Sequence, residues 1–319
     1  MPHRLNDVWE YDLAANTWVL LWEPDPDLNR TRGMSKEDRE KLVDSVAMVK
    51  DGVLMTKRGA PFDPVHTWWA LTYDPDLKAL LWVLAVHNKV HYKGDITVNP
   101  RKMMLWAYYP YEHRWAFVPQ TKDAPPCQNA SVLEYIPDLK GALWYTNTWR
   151  GQTTSLFRSA TRTWKELLPR SKIRGNPDCP GAEVSAAYDS ERKILVTHRG
   201  MKGGKGKPAS FLTHQYDVRT NTWTRAIAAT DGPRGGDAGA PMVYDAVAGA
   251  CLIVNGQGLW SYRVGDTQWT KLTPTGPAPS GTSRMACYNP ERNVLIADNG
   301  RGRVWVYRAK RRPRRDVPK

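Results

Sequence analysis

The chain has 319 residues and a formal net charge of +14, with 15 Trp and 14 Tyr beside only four Phe. Trp and Tyr suit strand ends near water, and frequent Gly and Pro, 24 of each, are typical of short strands joined by turns, so the composition favours an all-β fold. No apolar run reaches the roughly 18 residues of a membrane-spanning helix, and the four cysteines show neither CxxC nor zinc-ligand spacing, which argues against a disulfide framework.

The first predicted element is a hairpin over 7–22. Trp9 and Tyr11 alternate on one strand, a polar turn follows, and Trp18 comes seven residues after Tyr11. Met1 is followed by Pro-His-Arg-Leu-Asn-Asp, which lacks the apolar segment of a signal peptide. As written, the chain is expected in the cytoplasm, with a secreted or periplasmic location as the alternative if an upstream segment is missing.

Residues 23–62 do not follow this pattern. Pro24 and Pro26 open a loop, and Ser35, with Asp38 three positions later, resembles a capping box. A short amphipathic helix is then predicted from Leu42, Val43, Val46, Met48 and Val49. The segment is interpreted either as a surface insertion packed over one rim or as a lid over a channel mouth.

The aromatic hairpin recurs along the rest of the chain and alternates with a second unit. Its further copies are Trp106-Ala107-Tyr108 with Trp115, Leu156-Phe157 with Trp164, Gln215-Tyr216 with Trp223, Trp260-Ser261-Tyr262 with Trp269, and Trp305-Val306-Tyr307. In the second unit a Tyr precedes a polar turn, and the position eight residues later is apolar. Its copies pair Tyr73 with Leu81, Tyr135 with Leu143, Tyr188 with Val196, Tyr244 with Leu252, and Tyr288 with Ile296. Two such hairpins make one four-stranded antiparallel blade.

The chain therefore resembles kelch-repeat β-propellers, including the central domain of galactose oxidase-like proteins. The likeness is carried by Asn6-Asp7-Val8-Trp9-Glu10-Tyr11-Asp12 and by Asn221-Thr222-Trp223. It implies an all-β, kelch-type propeller formed by one domain over 1–309, with a basic disordered tail over 310–319. Blades are predicted near 66–118, 127–168, 180–226 and 236–273, with 7–22 and 281–308 sharing another. The prediction is six blades, with seven as the alternative.

Loops at the ends of propeller blades converge near one axis, so equivalent loop positions can be compared. The candidate ligand-binding residues before the innermost strands are His66, Asn129, Glu183, Asp237 and Arg284. Those after the second strands are His87, Trp149, Arg150, His198, Arg199, Asn255, Asn299 and Arg301, with Asn147 and Gln257 beside them. Asn, Asp and Glu suit sugar hydroxyls, Arg suits carboxylates, and Trp149 could stack on a sugar face. The alternative is that these groups satisfy turn backbone and hold channel water.

Two functional hypotheses follow. The first is a monomeric binding or interaction module that recognises a protein or a glycan through its channel-mouth loops, without a metal or cofactor. The second is a carbohydrate-active enzyme of lyase, mutarotase or oxidase type, with Glu183, His198 and Arg284 as candidate base and carboxylate clamp. Whether the chain is an enzyme stays open at this point. Nucleic acid is not an expected partner, because the aromatic residues are committed to blade packing rather than to a stacking surface.

Overall fold

The computed structural model describes residues 6–25, 35–62, 69–83, 90–92, 96–98, 104–119, 121–126, 131–148, 151–201, 210–234, 240–276, 285–298 and 303–308. The chain divides into two compact units. Unit 1 comprises residues 1–135 and 140–166, and unit 2 comprises residues 136–139 and 167–319.

Unit 1 begins with a two-stranded hairpin, continues through a helix and a second hairpin, and then enters two four-stranded sheets. Its strands are β1 (Val8–Asp12), β2 (Thr17–Trp22), β3 (Ala47–Lys50), β4 (Val53–Thr56), β5 (Leu71–Asp74), β6 (Ala79–Val83), β7 (Val90–Tyr92), β8 (Ile96–Val98), β9 (Leu105–Tyr109), β10 (Arg114–Phe117), β11 (Val132–Ile136), β12 (Gly141–Thr148), β13 (Gly151–Arg158) and β14 (Thr163–Leu168), with helix α1 (Lys36–Val46) before β3. The four-stranded sheets have the orders β5-β6-β9-β10 and β11-β12-β13-β14. The last residues of β11 and β14 fall in unit 2.

Unit 2 contains two four-stranded sheets and one three-stranded sheet. Its strands are β15 (Ser185–Asp189), β16 (Ile194–Met201), β17 (Ser210–Asp217), β18 (Thr222–Ala229), β19 (Met242–Asp245), β20 (Ala250–Asn255), β21 (Gly258–Tyr262), β22 (Thr270–Leu272), β23 (Met285–Asn289), β24 (Val294–Asp298) and β25 (Val304–Tyr307). A 3-10 turn (Pro137–Leu139) and the short helix α2 (Arg170–Ile173) also belong to it. Within each sheet the strand order is the chain order.

Four antiparallel strands, each beside the strand that precedes it in its sheet, are the arrangement of propeller blades. The chain is an all-β propeller, and its described residues contain five blades, four with four strands and one, β23–β25, with three. The predicted count of six blades is wrong, and it also exceeds the five blades that the predicted ranges define. The hairpin over 7–22 carries the aromatic pattern of two outer strands and was expected to share a blade with 281–308, but among the described residues it forms the two-stranded sheet β1–β2, and β23–β25 form a sheet of their own.

The hairpin turns explain why an aspartate recurs after the tyrosine in the second repeat unit. Asp74, Asp189 and Asp245 end innermost strands, and their Oδ1 atoms accept hydrogen bonds from two backbone amides of the following turn at 2.9–3.1 Å. Four residues after each strand end, the backbone enters the left-handed region, as at Lys78, Lys193 and Gly249. An aspartate that satisfies the turn amides and a tolerant left-handed residue together fix a tight connection between antiparallel strands.

The aromatic hairpins predicted from the seven-residue spacing are confirmed. In each outer hairpin the second aromatic and the following Trp lie opposite or nearly opposite on neighbouring strands, with ring centroids 5.1–5.3 Å apart. The pairs are Tyr11–Trp18, Tyr108–Trp115, Phe157–Trp164, Tyr216–Trp223 and Tyr262–Trp269. Four of these pairs are buried, and they stabilise the packing of the blades.

Neighbouring blades within each unit are joined along their innermost strands. In unit 1, Trp69 and Val132 form a parallel bridge, and the amide of Leu133 donates to the carbonyl of Trp69 at 2.9 Å. In unit 2, the amide of Ala240 donates to Ser185 Oγ at 3.0 Å, just before β19. Buried side chains from both partners of each pair of blades then fill the space between the sheets.

The insertion over 23–62 agrees with the prediction at its start and departs from it at its end. Ser35 caps α1, since its Oγ accepts a hydrogen bond from the amide of Asp38 at 3.0 Å. Met48 and Val49 were expected in the helix, but they lie in β3. The Asp51-Gly52 turn, with both φ angles positive, favours a hairpin at this point and overrides the helical spacing.

Candidate functional site

Four of the predicted site residues lie in the described part of the chain, all of them in unit 2: Glu183, His198, Arg199 and Asn255. The others lie outside the described residues, namely His66, His87, Asn129, Trp149, Arg150, Asp237, Arg284, Asn299 and Arg301. Their convergence on a common axis stays a prediction. The four described residues have different surroundings, and only two of them face each other.

Glu183 and Arg199 form a partly exposed ion pair. Arg199 Nη2 lies 3.8 Å from Glu183 Oε2, and the two side chains are 30% and 36% exposed. Glu183 has a φ of 61°, in the left-handed region, just before β15. Arg199 extends from β16 over Gly181, where an added Cβ would stand 3.0 Å from its Nη1. At this exposure the pair contributes little to stability and leaves both charged groups open to a ligand.

His198 is buried, and both of its ring nitrogens are engaged. Nε2 lies 2.9 Å from the carbonyl oxygen of Pro233, and Nδ1 lies 3.0 Å from Thr213 Oγ1. Trp269 Nε1 donates to the same Thr213 Oγ1 at 2.8 Å, and its ring centroid stands 5.0 Å from that of His198. A neutral imidazole that donates from Nε2 and accepts at Nδ1 satisfies every partner of this chain of hydrogen bonds.

The acid sensitivity of unit 2 follows from this burial. Desolvation lowers the pKa of His198 to about 4, with the hydrogen bond to Pro233 opposing it, and burial also lowers the pKa of His214 to about 4. The unfolded chain, whose histidines titrate near 6.5, therefore binds more protons than the folded chain between about pH 6.5 and pH 4. The contribution of these neutral, buried histidines to the free energy of unfolding is expected to be fully present above this window. It should be lost as the pH drops through the window, by on the order of 2–3 kcal/mol for His198 alone.

Urea unfolding followed at several pH values between about pH 7 and pH 4.5 tests this expectation. A His198→Asn variant should lose part of the pH dependence, whereas His113→Asn, at an exposed turn position that suits asparagine, should keep the native slope. A His198→Asn variant with the full native slope would contradict the assignment.

Asn255 and Gln257 hold the same connector as His198. Asn255 is 3% exposed, its Nδ2 donates to the carbonyl of Arg234 at 2.7 Å, and its Oδ1 accepts from the amide of Gln257 at 2.9 Å. Gln257 Oε1 accepts from the amide of Arg234 at 2.9 Å. These side chains, like His198, hydrogen-bond the backbone at 233–234, after β18. For these positions the structure favours the alternative that loop-end polar groups satisfy backbone.

A cleft of about 380 Å³ lies beside that connector, between the blade β15–β18 and the blade β19–β22. Its aromatic wall comprises Phe211, Trp260 and Trp269, and its polar rim comprises the exposed side chains of Thr230, Asp231 and Gln268. The position of Gly232 favours glycine for two reasons: its φ is 155°, and an added Cβ would stand only 3.3 Å from the ring of Phe211. His198 thus positions both sides of the cleft, through Trp269 on one side and Pro233 on the other.

The sequence prediction missed this cleft. Trp260 and Trp269 were assigned to blade packing, and Asp231 stands in a connector that the repeat pattern does not cover. The available signal was the Thr-Asp-Gly-Pro run directly after β18, which marks a tight and conformationally fixed connector. Its nearness to Trp260, on the next blade, follows only from the three-dimensional arrangement.

Within the described ranges, no three His, Cys, Asp or Glu side chains come close enough together to bind a metal ion. No helix within these ranges combines the length and the apolar character that a membrane crossing needs.

No family model matches the chain. No curated protein matches it either. Several solved structures are similar to the chain. A chain of the nidogen/laminin complex has 8% identity and a TM-score of 0.45, with 82% of this chain and 92% of that chain covered. A structural genomics protein from Bacteroides thetaiotaomicron has 11% identity and a TM-score of 0.48, covering 82% and 68%. TolB from Acinetobacter baumannii has 11% identity and a TM-score of 0.41, covering 90% and 69%.

At these identities the similarities concern the fold alone. The strands and sheets themselves define the class of protein, a β-propeller.

Proposed function

We propose that this protein is a kelch-type propeller that acts as a monomeric binding module and recognises a glycan at the cleft between β15–β18 and β19–β22. The observation that carries the proposal is a preorganised site with an aromatic wall and a polar rim. The half-buried ring of Trp260 suits the apolar face of a sugar ring, with the buried Phe211 behind the connector at Gly232, and the side chains of Asp231, Gln268 and Thr230 suit its hydroxyls. The volume of about 380 Å³ falls within the usual range of small-ligand sites.

The hydrogen-bond network behind the cleft supports binding rather than turnover. A general base needs an accessible nitrogen and a pKa near the working pH, whereas both nitrogens of His198 are bonded and burial lowers its pKa to about 4. Glu183 stands against Arg199 rather than beside the cleft residues. The kelch assignment itself is supported by the two interleaved repeats, whose turn and aromatic positions recur from blade to blade.

The test is a glycan-array screen followed by calorimetric titration of the best soluble oligosaccharide. Trp260→Ala is expected to weaken binding at least about tenfold, because it removes the aromatic wall on which the sugar would stack. Trp9→Ala is the matched control, since Trp9 is 51% exposed on the β1–β2 hairpin of unit 1.

Native affinity should persist in the Trp9 variant. If the same surface captured a protein partner and no glycan bound, the ligand of the cleft would be a protein rather than a glycan. Equal affinities of native protein and Trp260→Ala for every ligand found would reject the cleft as the site.

A further inference from the structure

One aspartate in unit 2 shows how this fold binds a carboxylate. Asp138 Oδ2 accepts the hydroxyl of Tyr188 at 2.6 Å, and Asp138 Oδ1 lies 2.8 Å from Lys193 Nζ. The hydrogen bonds from Lys193 and then Tyr188 lower the pKa of Asp138, and burial raises the pKa of Tyr188, so the phenol stays a donor. A Tyr and a Lys that flank one hairpin turn therefore hold both oxygens of one carboxylate.

The same pair of residue types recurs at the same places in a blade of unit 1. Tyr73 and Lys78 flank the turn between β5 and β6 as Tyr188 and Lys193 flank the turn between β15 and β16. Lys78 and Lys193 share the left-handed backbone, with φ angles of 52° and 66°. The tyrosine at the corresponding position of the blade β11–β14 also binds a carboxylate: the hydroxyl of Tyr135 donates to Asp76 Oδ2 at 2.7 Å.

Tyr73 and Lys78 differ from these precedents by their exposure. Tyr73 is 45% exposed, Lys78 is exposed, and both line a cavity of about 530 Å³ together with Tyr109 and the 81% exposed Tyr111. Among the described residues, no carboxylate is hydrogen-bonded to the Tyr73 hydroxyl or ion-paired with Lys78.

The carboxylates closest in sequence are already engaged. Asp74 accepts the amides of its turn, Asp76 accepts the hydroxyl of Tyr135, and Glu112 pairs with Arg114 at 2.5 Å. The guanidinium of Arg114 also stands 4.3 Å from the centroid of Tyr109. Glu112 also lines the cavity, and Arg114 offsets its charge. An added carboxylate would therefore meet the hydroxyl of Tyr73 and the ammonium of Lys78 beside a carboxylate that is already paired.

We propose that Tyr73 and Lys78 form a carboxylate clamp for an acidic side chain of a protein partner. The partner is a protein because both carboxylates bound by this Tyr position are aspartates on hairpin turns, and because Pro75, Leu77 and Tyr111 add apolar surface around the clamp. The chain's net charge of +14 favours the approach of an acidic segment. This surface belongs to unit 1 and does not depend on the glycan cleft of unit 2.

The probe is a cyclic peptide that carries Ile-Pro-Asp-Leu-Lys, which copies residues 136–140 with the aspartate bound in the precedent. Calorimetric titration of the full chain should give saturable binding with a Kd below about 1 mM that weakens as salt is added. The same peptide with Asn in place of Asp should bind at least about fivefold more weakly.

Tyr73→Phe and Lys78→Asn should each weaken binding of the Asp peptide about three- to tenfold, and Asn suits the left-handed backbone at position 78. Lys140→Asn, at the equivalent exposed position of the next blade, is the control and should bind as the native chain does. No saturable binding up to about 1 mM, equal binding of the Asp and Asn peptides, or native affinity in both clamp variants would overturn the proposal.

Discussion

Replacing His198 with alanine is expected to lower the free energy of unfolding by about 3 kcal/mol and to abolish ligand binding at the cleft. The change removes a buried ring and leaves the hydroxyl of Thr213 and the carbonyl of Pro233 without their partner. It also removes the ring that packs against Trp269. Both walls of the cleft lose their support together, so stability and binding should fall in the same variant.

Urea unfolding monitored by tryptophan fluorescence measures the first effect, and titration with the glycan identified by the array measures the second. His113→Asn serves as the reference, because His113 is exposed on a turn of unit 1 and asparagine suits its left-handed backbone. A His198→Ala protein within about 1 kcal/mol of the native free energy would contradict the structural role of this histidine.

The second large effect is expected at Asp74, whose side chain is fully buried. Its Oδ1 accepts the amides of Asp76 and Leu77, and its Oδ2 accepts the hydroxyl of Ser159 from the neighbouring blade at 2.6 Å. Asp74→Ala leaves all three donors without an acceptor, which should cost about 3 kcal/mol of unfolding free energy.

The comparison variant is Asp217→Ala, since Asp217 ends an outer strand and bonds the backbone and side chain of exposed Arg219. Its loss should stay near 1 kcal/mol in the same denaturation experiment. Similar losses for the two variants would mean that the bond to Ser159 contributes nothing across the blades.

The fold was predictable because the determinants of a blade are local in sequence. The spacing of Tyr216 and Trp223 reports two residues that lie opposite each other across one turn, and this spacing needs no knowledge of distant contacts. The place of the terminal hairpin was less predictable, because 7–22 has the outer-strand pattern without inner strands, and a repeat pattern alone does not tell whether such a piece completes a blade with a distant segment.

The site was less accessible to sequence reasoning than the fold. His198 and Arg199 are adjacent in sequence, yet alternation along β16 buries one and leaves the other partly exposed. A polar residue at a strand end suits a ligand and a backbone carbonyl equally well, so residue type could not separate the two roles. The cleft joins Phe211, Asp231 and Trp260 from two blades, and no periodicity encodes that meeting.

The pairing of β6 with β9 has a consequence for how the chain reaches its native state. In the sheets β11–β14 and β19–β22 the second strand is followed almost at once by the third, whereas β6 ends at Val83 and β9 begins only at Leu105. Closing the longer loop costs more chain entropy before any contact rewards it. Strand pairing in this sheet should therefore form later than in the sheets with short connections. Until β9 pairs with β6, the apolar side chains of Leu81 and Val83 stay exposed on the β5–β6 hairpin, which makes this hairpin the expected binding site for a chaperone during folding.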